Sequence, residues 1–176
     1  NTTDYSITDL HISESDITVS SSALASSLVS VTINITHTYS GDLDIYLYSP
    51  NNDHITLSSN NGGGDENYTN TVFSTSGTAI TAGSAPFTGT YQPEEAFSNL
   101  SGTANGTWTL QVYDHANGDV GTINDWSLVI GGGTGPEFKN LTLNNSAGFT
   151  MNSDLTVDGT LTLTSGSINT NSNTLE

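Results

Sequence analysis

The sequence predicts an all-β protein, and three observations support this prediction. Apolar residues make up only 33% of the chain, below the globular average, and glycine is frequent, with 18 among 176 residues. Almost no window places apolar residues at the i, i+3, i+4 and i+7 positions of an amphipathic helix. Short segments instead alternate apolar and polar residues between clusters of turn-forming residues. We therefore expect many short strands joined by turns.

The strand candidates lie in a compact region that ends near Ile130. They include residues 17–19, 28–36, 43–48, 55–57, 71–73, 107–113 and 126–130. Strands at this spacing predict a two-sheet β-sandwich of the jelly-roll type. Trp108 and Trp126 each lie on an alternating apolar face, so we expect both to be core anchors rather than ligand platforms.

The run Gly-Gly-Gly-Thr-Gly-Pro at 131–136 predicts a linker over residues 131–138. It separates a first domain, residues 1–130, from a C-terminal segment, residues 139–176. Apolar pairs recur every six to eight residues in that segment, as in Leu141/Leu143, Phe149/Met151 and Leu161/Leu163. This predicts stacked β-repeats of a solenoid, with a meander of hairpins as the alternative. A few repeats bury little, so the segment should pack on the first domain or self-associate.

The charge balance excludes several classes of partner. Eighteen acidic residues face a single cation, Lys139, and the formal net charge is −17. Nucleic acids and anionic membrane surfaces require Lys or Arg, so neither is an expected partner. No apolar run approaches membrane-spanning length, so no membrane insertion is expected. The absence of cysteine excludes disulfides, and the composition suits a secreted or cell-surface protein. No signal peptide is visible, so we expect a mature or excised fragment.

Five motifs occur in a recognisable order. They are HTYSGDLDIYLYSPNN at 37–52, NYTNTVF at 67–73, APFTGTYQPEEAFSNLSG at 85–102, NGTWTLQVYD at 105–114 and GDVGTINDWSLVI at 118–130. Together they resemble the P domain, or P/Homo B domain, of kexin- and furin-like subtilases, in the form found in secreted bacterial proteins. The resemblance implies a galactose-binding-like jelly roll. The C-terminal segment is similar to repeats in large surface proteins of flavobacteria-like organisms.

The resemblance implies an accessory domain rather than an enzyme. In this family the P domain packs on the catalytic domain of a subtilisin-like serine protease, stabilises it and assists its folding or export. That catalytic domain is therefore the expected partner. The residues agree, since no serine lies in a G-x-S-x-G elbow and the four histidines lack zinc-site spacing. Glu94 and Glu95 are neighbours, unlike the paired carboxylates of a glycosidase. His37 is expected to make a structural hydrogen bond.

Calcium is the expected cofactor. Asp42 and Asp44 lie two residues apart at the start of a strand, so their carboxylates are expected to point to the same side. Asp65, Glu66 and Asn67 follow on a Gly-rich loop. Calcium takes six to eight oxygen ligands, and an ion between these segments would compensate the repulsion of Asp42 and Asp44. The alternative for Asp42 is hydrogen bonding to amides of the preceding turn.

A second acidic loop supplies a second tier of candidate metal ligands. These residues are Asp114, Asn117, Asp119 and Asp125. The loop lacks the residue order of an EF-hand, so a tight β-turn is the favoured interpretation.

An alternative function of another class is a carbohydrate-binding or surface-adhesion module. Jelly rolls host many sugar binders, and several tyrosines could stack on sugars: Tyr39, Tyr46, Tyr48, Tyr68 and Tyr91. Tyr46 and Tyr48 alternate with an apolar face and are expected to cover the second side of their strand. An adhesion role would be carried mainly by the C-terminal segment.

Overall fold

The computed structural model describes residues 1–131, 137–152 and 154–175. The chain divides into two units, Asn1–Ile130 and Gly131–Glu176. Strands dominate both units, which confirms the predicted all-β class. Residues 132–136 of the predicted linker lie outside the described residues. Among the described residues, no helix is long and apolar enough to cross a membrane.

The first unit is a sandwich of two sheets. The five-stranded sheet A contains, in spatial order, β1 (Tyr5–Ile7), β9 (Gly121–Ile130), β3 (Leu28–His37), β6 (Tyr68–Ala79) and β7 (Phe87–Gln92). The four-stranded sheet B contains β2 (Ile12–Val19), β8 (Gly106–Asp114), β4 (Leu43–Tyr48) and β5 (His54–Ser59). Neighbouring strands are antiparallel except β6 and β7, which pair in parallel.

Strict alternation along the strands builds the core between the sheets. In β4 every second residue is fully buried, and the residues between them face outward. The same pattern runs along β8, beginning with Trp108. Burying one large apolar side chain contributes about 1.5–3 kcal/mol, so this two-residue period fixes which face of each sheet meets the other.

Both tryptophans lie in this core. Trp108 is fully buried and Trp126 is 1% exposed. The indole Nε1 of Trp108 donates to the carbonyl oxygen of Ala104 at 2.9 Å, and that of Trp126 donates to Oγ of Ser15 at 2.9 Å. Each ring therefore buries its apolar body without leaving its one polar hydrogen unpaired.

The β5 edge of sheet B is covered by a pair of glutamates. The backbone N–H groups of Glu94 and Glu95 donate to carbonyls of β5, at 3.4 and 3.1 Å. In return, Oε1 of Glu94 accepts from the N–H of Ser59 at 2.7 Å, and Oε2 of Glu95 accepts from that of Thr56 at 2.8 Å. The adjacent carboxylates therefore satisfy backbone donors of an edge strand, which would otherwise template pairing with another chain.

Each strand predicted from the sequence lies within an observed strand, but two observed strands were missed. One is β1, which has only three residues. The other is β7, an edge strand of the sequence FTGTYQ in which only Phe87 is buried. A strand with one buried side chain shows too little apolar alternation to be recognised.

The C-terminal unit is solenoid-like, as predicted. It contains β10 (Glu137–Asn144), β11 (Phe149–Thr150), β12 (Thr156–Ser165) and β13 (Ile168–Asn169). Strand β10 pairs in parallel with β12, and β11 pairs in parallel with β13. Leu141 aligns with Leu161 and Phe149 with Ile168, so one coil takes about twenty residues. The apolar pairs, which recur every six to eight residues, therefore mark successive segments of one coil rather than successive coils.

Candidate functional site at the acidic end of the sandwich

Three loops meet at one end of the sandwich, which we call the acidic end. They are the 3-10 turn Ser40–Asp42, the loop of residues 60–67 and the loop of residues 115–120. The N–H of Ser40 donates to the carbonyl of Asp65 at 2.9 Å, and that of His115 donates to the carbonyl of Asp42 at 3.0 Å. The loops are thus held together by backbone hydrogen bonds.

A buried histidine and aspartate join the two sheets beneath these loops. His37 is the last residue of β3 in sheet A, and Asp114 is the last residue of β8 in sheet B. The Nε2 atom of His37 lies 3.2 Å from Oδ2 of Asp114, and Nδ1 lies 2.9 Å from the carbonyl oxygen of Tyr39. The side chains are 0% and 1% exposed. His37 thus makes the structural contact expected of it.

This pair is not arranged for catalysis on a substrate. Both ring nitrogens of His37 contact protein groups, Nδ1 the backbone of Tyr39 and Nε2 the carboxylate of Asp114, and Oδ1 of Asp114 accepts from the N–H of Ala116 at 3.2 Å. A general base needs a free nitrogen within reach of a substrate proton. The His37–Asp114 contact therefore serves the structure of the acidic end.

Asp42 does not lie in a strand, so strand alternation does not place its carboxylate on the same side as that of Asp44. It is the last residue of the 3-10 turn, and β4 begins one residue later at Leu43. The two-residue alternation of a strand does not apply across that boundary. The pKa of the Asp42 carboxyl is raised by burial and by the negative charges of Asp114 and Asp119, against a smaller opposing effect of His115 and His37.

Asp44 lies instead on the outer face of sheet B. Its Oδ1 accepts a hydrogen bond from Oγ of Ser59 at 2.5 Å and another from Nδ2 of Asn60 at 3.1 Å. Both of these donors engage Oδ1 of the carboxylate. Asp44 and Asp42 therefore have different neighbours, and Asp44 is not among the charges that raise the pKa of Asp42.

The Gly-rich loop divides into a structural residue and two exposed ones. Oδ1 of Asn67 accepts from the N–H of His37 at 2.9 Å, and its carbonyl accepts from the N–H of Phe87 at 3.0 Å. Its φ of 72° lies in the left-handed region, where Asn is one of the tolerated residues. Asp65 and Glu66 are exposed. Asn67 is therefore a connector between β3 and β7 rather than a free ligand.

The second-tier residues do not converge either. Asp114 is buried beneath the loops, whereas Asn117 is exposed. Oδ1 of Asp119 accepts from Oγ1 of Thr38 at 2.7 Å. Asp125 lies within β9, and its carboxylate accepts from Nδ2 of Asn34 at 2.9 and 3.0 Å. Of these four residues, Asp114 and Asp119 are the two whose charges act on Asp42.

The chemistry of this end suits calcium, but the predicted ligand set is not assembled. Oxygen donors are abundant, as calcium requires. Within the described residues, however, no group of three or more His, Asp or Glu side chains is placed to hold a metal ion. Asp44 and Asn67 are already engaged by protein donors, so the predicted five residues do not form one site.

The buried pair was open to prediction from the sequence. Trp108, Leu110 and Val112 occupy the inward positions of β8, and Asp114 continues that alternation into the core. His37 extends the inward positions of β3 in the same way. A charged or titratable residue at the inward position of a strand end indicates a buried partner.

The family model described as proprotein convertase P-domain matches residues 26–130. The chain is 36% identical over 129 residues to the transglutaminase-activating metalloprotease of Streptomyces mobaraensis. It is 31% identical over 131 residues to leupeptin-inactivating enzyme 1 of Streptomyces exfoliatus, and 31% identical over 133 residues to the calcium-dependent protease of Trichormus variabilis. Each match covers 73% of this chain but 14%, 25% and 17% of the relative.

Two solved structures are also similar. One is the serine protease of Aeromonas sobria, with a TM-score of 0.46 at 20% identity, covering 70% of this chain and 24% of that chain. The other is the same protease in complex with the chaperone ORF2, with a TM-score of 0.40 at 22% identity, covering 71% and 21%. This chain thus spans a quarter or less of each relative and of each solved chain.

Proposed function

The chain belongs to the proprotein convertase P-domain family, and from this membership we propose that it is a non-catalytic accessory domain of a secreted peptidase. In this role it stabilises the catalytic domain and assists its folding or export. The family match over residues 26–130 carries the proposal. Two of the three relatives are named as proteases, and the matched region is a small part of each.

The proposed partner is the catalytic domain of the parent protein, which we take to be a subtilisin-like serine protease because of the motif resemblance. One relative is named a metalloprotease, so the family is not restricted to one catalytic chemistry. Fourteen of the eighteen acidic residues, and no Lys or Arg, lie in residues 1–130. Charge complementarity therefore favours a basic or cation-bridged surface on the partner.

We keep calcium binding as part of the proposal, at the acidic end. The neighbouring charges of Asp114 and Asp119 disfavour ionised Asp42, and a divalent cation there would relieve this repulsion. The exposed carboxylates of Asp65 and Glu66 are the further candidate donors. Asp44 is engaged by Ser59 and Asn60, so we expect it to contribute less. One relative is named for calcium dependence, which supports testing this chain.

The proposed location is outside the cell or on its surface. The chain has no cysteine, so disulfide formation gives no argument for or against an oxidising compartment. Its high negative charge suits an extracellular setting that contains calcium.

For the C-terminal unit we propose self-association. In this unit β10 and β12 form a two-stranded sheet. Three apolar side chains of the unit are partly exposed: Phe138 at 38%, Phe149 at 42% and Leu163 at 44%. These side chains leave apolar surface for a second copy of the chain.

The accessory role is tested by producing the parent catalytic domain with and without this chain. We expect the fused form to give more secreted, active peptidase and a higher melting temperature of the catalytic domain. A fusion that carries Trp108→Ala, which disrupts the sandwich core, is the matched control and should behave like the truncated protein. Equal yield and melting temperature in all three forms would contradict the proposal.

A further inference from the structure

The outer face of sheet B carries an ordered array of polar and aromatic side chains. The strand registers align them in rows that run across β2, β8, β4 and β5. One row is Glu14, Gln111, Tyr46 and Thr56, and the next is Asp16, Thr109, Tyr48 and His54. Because alternate residues of these strands fill the core, all of these side chains point outward.

Hydrogen bonds and stacking fix these side chains in place. Nε2 of Gln111 donates to Oε1 of Glu14 at 2.7 Å, and Oγ1 of Thr109 donates to Oδ1 of Asp16 at 2.6 Å. The ring of Tyr48 stacks on His54 with centroids 4.8 Å apart and an angle of 28° between planes. The surface is thus preorganised, which lowers the entropy lost when a ligand binds.

A cleft of about 480 Å³ opens over this array. Its walls include Glu14, Tyr48, Thr109 and Gln111 from the sheet, and Asn52 and Asn105 from the adjoining loops. Small-molecule sites in proteins occupy roughly 300–1,000 Å³ and use a few convergent polar groups. The cleft has the size of such a site, and its lining is mainly polar, with Tyr48 and Pro50 as the apolar surfaces.

We propose that this cleft binds a neutral saccharide. An anion is disfavoured by Glu14 and by the absence of Lys and Arg from residues 1–130. A cation needs acceptors only, whereas Asn52, Asn105 and Gln111 each present amide donors as well as an acceptor. Sugar hydroxyls both donate and accept, so they match amides, hydroxyls and a carboxylate together. The ring of Tyr48 supplies an apolar surface for the C–H face of a pyranose.

This function does not depend on the accessory role, because the cleft is built from sheet B and its loops alone. A domain that binds saccharide would hold its parent peptidase on a polysaccharide or glycosylated surface. From the sequence, Tyr46 and Tyr48 are both expected to cover the second side of β4. Tyr46 does not line the cleft and fits this expectation, whereas Tyr48 lines the cleft and is assigned a binding role.

The test is affinity electrophoresis of the full chain in gels that contain neutral polysaccharides, namely laminarin, hydroxyethyl cellulose, starch or galactomannan. A neutral-glycan array and calorimetry with the matching oligosaccharides complete the panel. We expect at least one neutral saccharide to retard the chain and bind it. No binding anywhere in the panel at ligand concentrations up to about 10 mM, equivalent to less than about 3 kcal/mol of binding free energy, would overturn the proposal.

Variants separate the cleft from other surfaces. Tyr48→Ala and Gln111→Ala should each weaken saccharide binding about tenfold or more, as losing a stacking face or a paired polar group does. Tyr48→Phe, which keeps the ring, should retain binding if folding is intact by circular dichroism. Tyr39→Ala, at a tyrosine 41% exposed on the acidic end, is the matched control and should bind normally. Binding of oligolysine that Tyr48→Ala abolishes would assign the cleft to cations and overturn the proposal.

Discussion

The Nε2 atom of His37 lies 3.2 Å from Oδ2 of Asp114, and this contact joins the last residue of β3 in one sheet to the last residue of β8 in the other. Neither residue is accessible to solvent. The two sheets are therefore connected at the acidic end by a polar contact in addition to apolar packing. Removing one partner of such a buried polar contact lowers the stability of the protein considerably, because the other partner is left unsatisfied.

Asp114→Ala should destabilise the first unit by about 3 kcal/mol. The substitution leaves the imidazole of His37 and the N–H of Ala116 without their buried acceptor. Urea unfolding followed by tryptophan fluorescence measures the change. Asp119 lies in the loop that follows β8 and is only partly buried, so Asp119→Ala should change stability by less than about 1 kcal/mol. Equal effects of the two substitutions would mean that the His37–Asp114 contact adds no more to the free energy of unfolding than a surface carboxylate does.

Trp108→Ala and Trp126→Ala should each cost about 3–5 kcal/mol of stability, because each removes a large buried ring and a satisfied indole hydrogen bond. Circular dichroism during thermal and urea unfolding is the measurement. Tyr39→Ala replaces an aromatic side chain that is 41% exposed and serves as the comparison. A loss below about 1 kcal/mol for either tryptophan would place that ring outside the core.

Asp42→Asn should stabilise the protein at neutral pH in the absence of divalent cations. The pKa of the Asp42 carboxyl is raised above its usual value of 3.8 by burial and by the charges of Asp114 and Asp119. The folded state therefore binds this proton more tightly than the unfolded chain does. Stability contributed by the protonated form is present at low pH and is lost as the pH rises through the folded-state pKa.

The measurement is urea unfolding of wild type and Asp42→Asn between about pH 3 and pH 8 in chelator, a range that brackets the usual Asp pKa. The advantage of the variant should grow with pH from the usual pKa upward and then level off. Asp4→Asn, at an exposed position, is the comparison and should run parallel to wild type. Parallel curves for Asp42→Asn as well would show that the neighbouring charges have no effect on Asp42.

Calcium should raise the melting temperature of the chain. Binding to the folded state alone stabilises it by RT ln(1 + [Ca²⁺]/Kd), which is about 2.7 kcal/mol at a hundredfold excess over Kd. Differential scanning calorimetry with calcium or chelator, at equal ionic strength set with sodium, measures the shift. Magnesium should substitute poorly because it demands tighter octahedral geometry.

Asp42→Asn should weaken this calcium response. Asp114→Asn removes one of the neighbouring charges but no exposed ligand, so it should weaken the response less while it lowers the starting stability. Asp44→Asn should have a smaller effect than Asp42→Asn, because Ser59 and Asn60 already donate to Oδ1 of that carboxylate. If sodium alone at matched ionic strength reproduces the whole shift, the carboxylates act only as a screened, solvated surface.

Glu94→Ala and Glu95→Ala should each destabilise the sandwich by about 1 kcal/mol and promote aggregation. Each removes a carboxylate that satisfies a backbone N–H of β5, so the edge of sheet B is opened to pairing with other chains. Calorimetry and light scattering on heating follow the two effects. Glu66→Ala, at an exposed glutamate of the acidic end, should alter neither. An aggregation rate equal to that of wild type would show that these carboxylates do not protect the edge.

Much of the fold was predictable because burial imposes a two-residue period on the strands. The central strands β4 and β8 carry that period without interruption, and both were recognised. The C-terminal coil length was also visible, since Leu-Thr-Leu at 141–143 returns at 161–163 after twenty residues. The apolar pairs recur more often than this because each coil contains more than one of them.

The candidate site was less predictable because its residues lie where the strand period stops. Asp42 precedes β4 by one residue, and a single 3-10 turn separates its surroundings from those of Asp44. Hydrogen bonds from distant residues then decide which side chains are free, as when the N–H of His37 engages Asn67. Such long-range partners leave no periodic signal in the sequence.

The first residues of the chain have a mechanical consequence. The amino group of Asn1 donates to the carbonyl of Trp126 at 2.8 Å, and the N–H of Trp126 donates back at 3.0 Å, so the start of the chain runs antiparallel beside β9. Tension applied at Asn1 and at Ile130 would therefore pull two neighbouring antiparallel strands apart from the same end. The hydrogen bonds between them would break one after another rather than all at once, and β1 would leave the sheet before the other strands, with the core side chain of Ile7 as its last attachment.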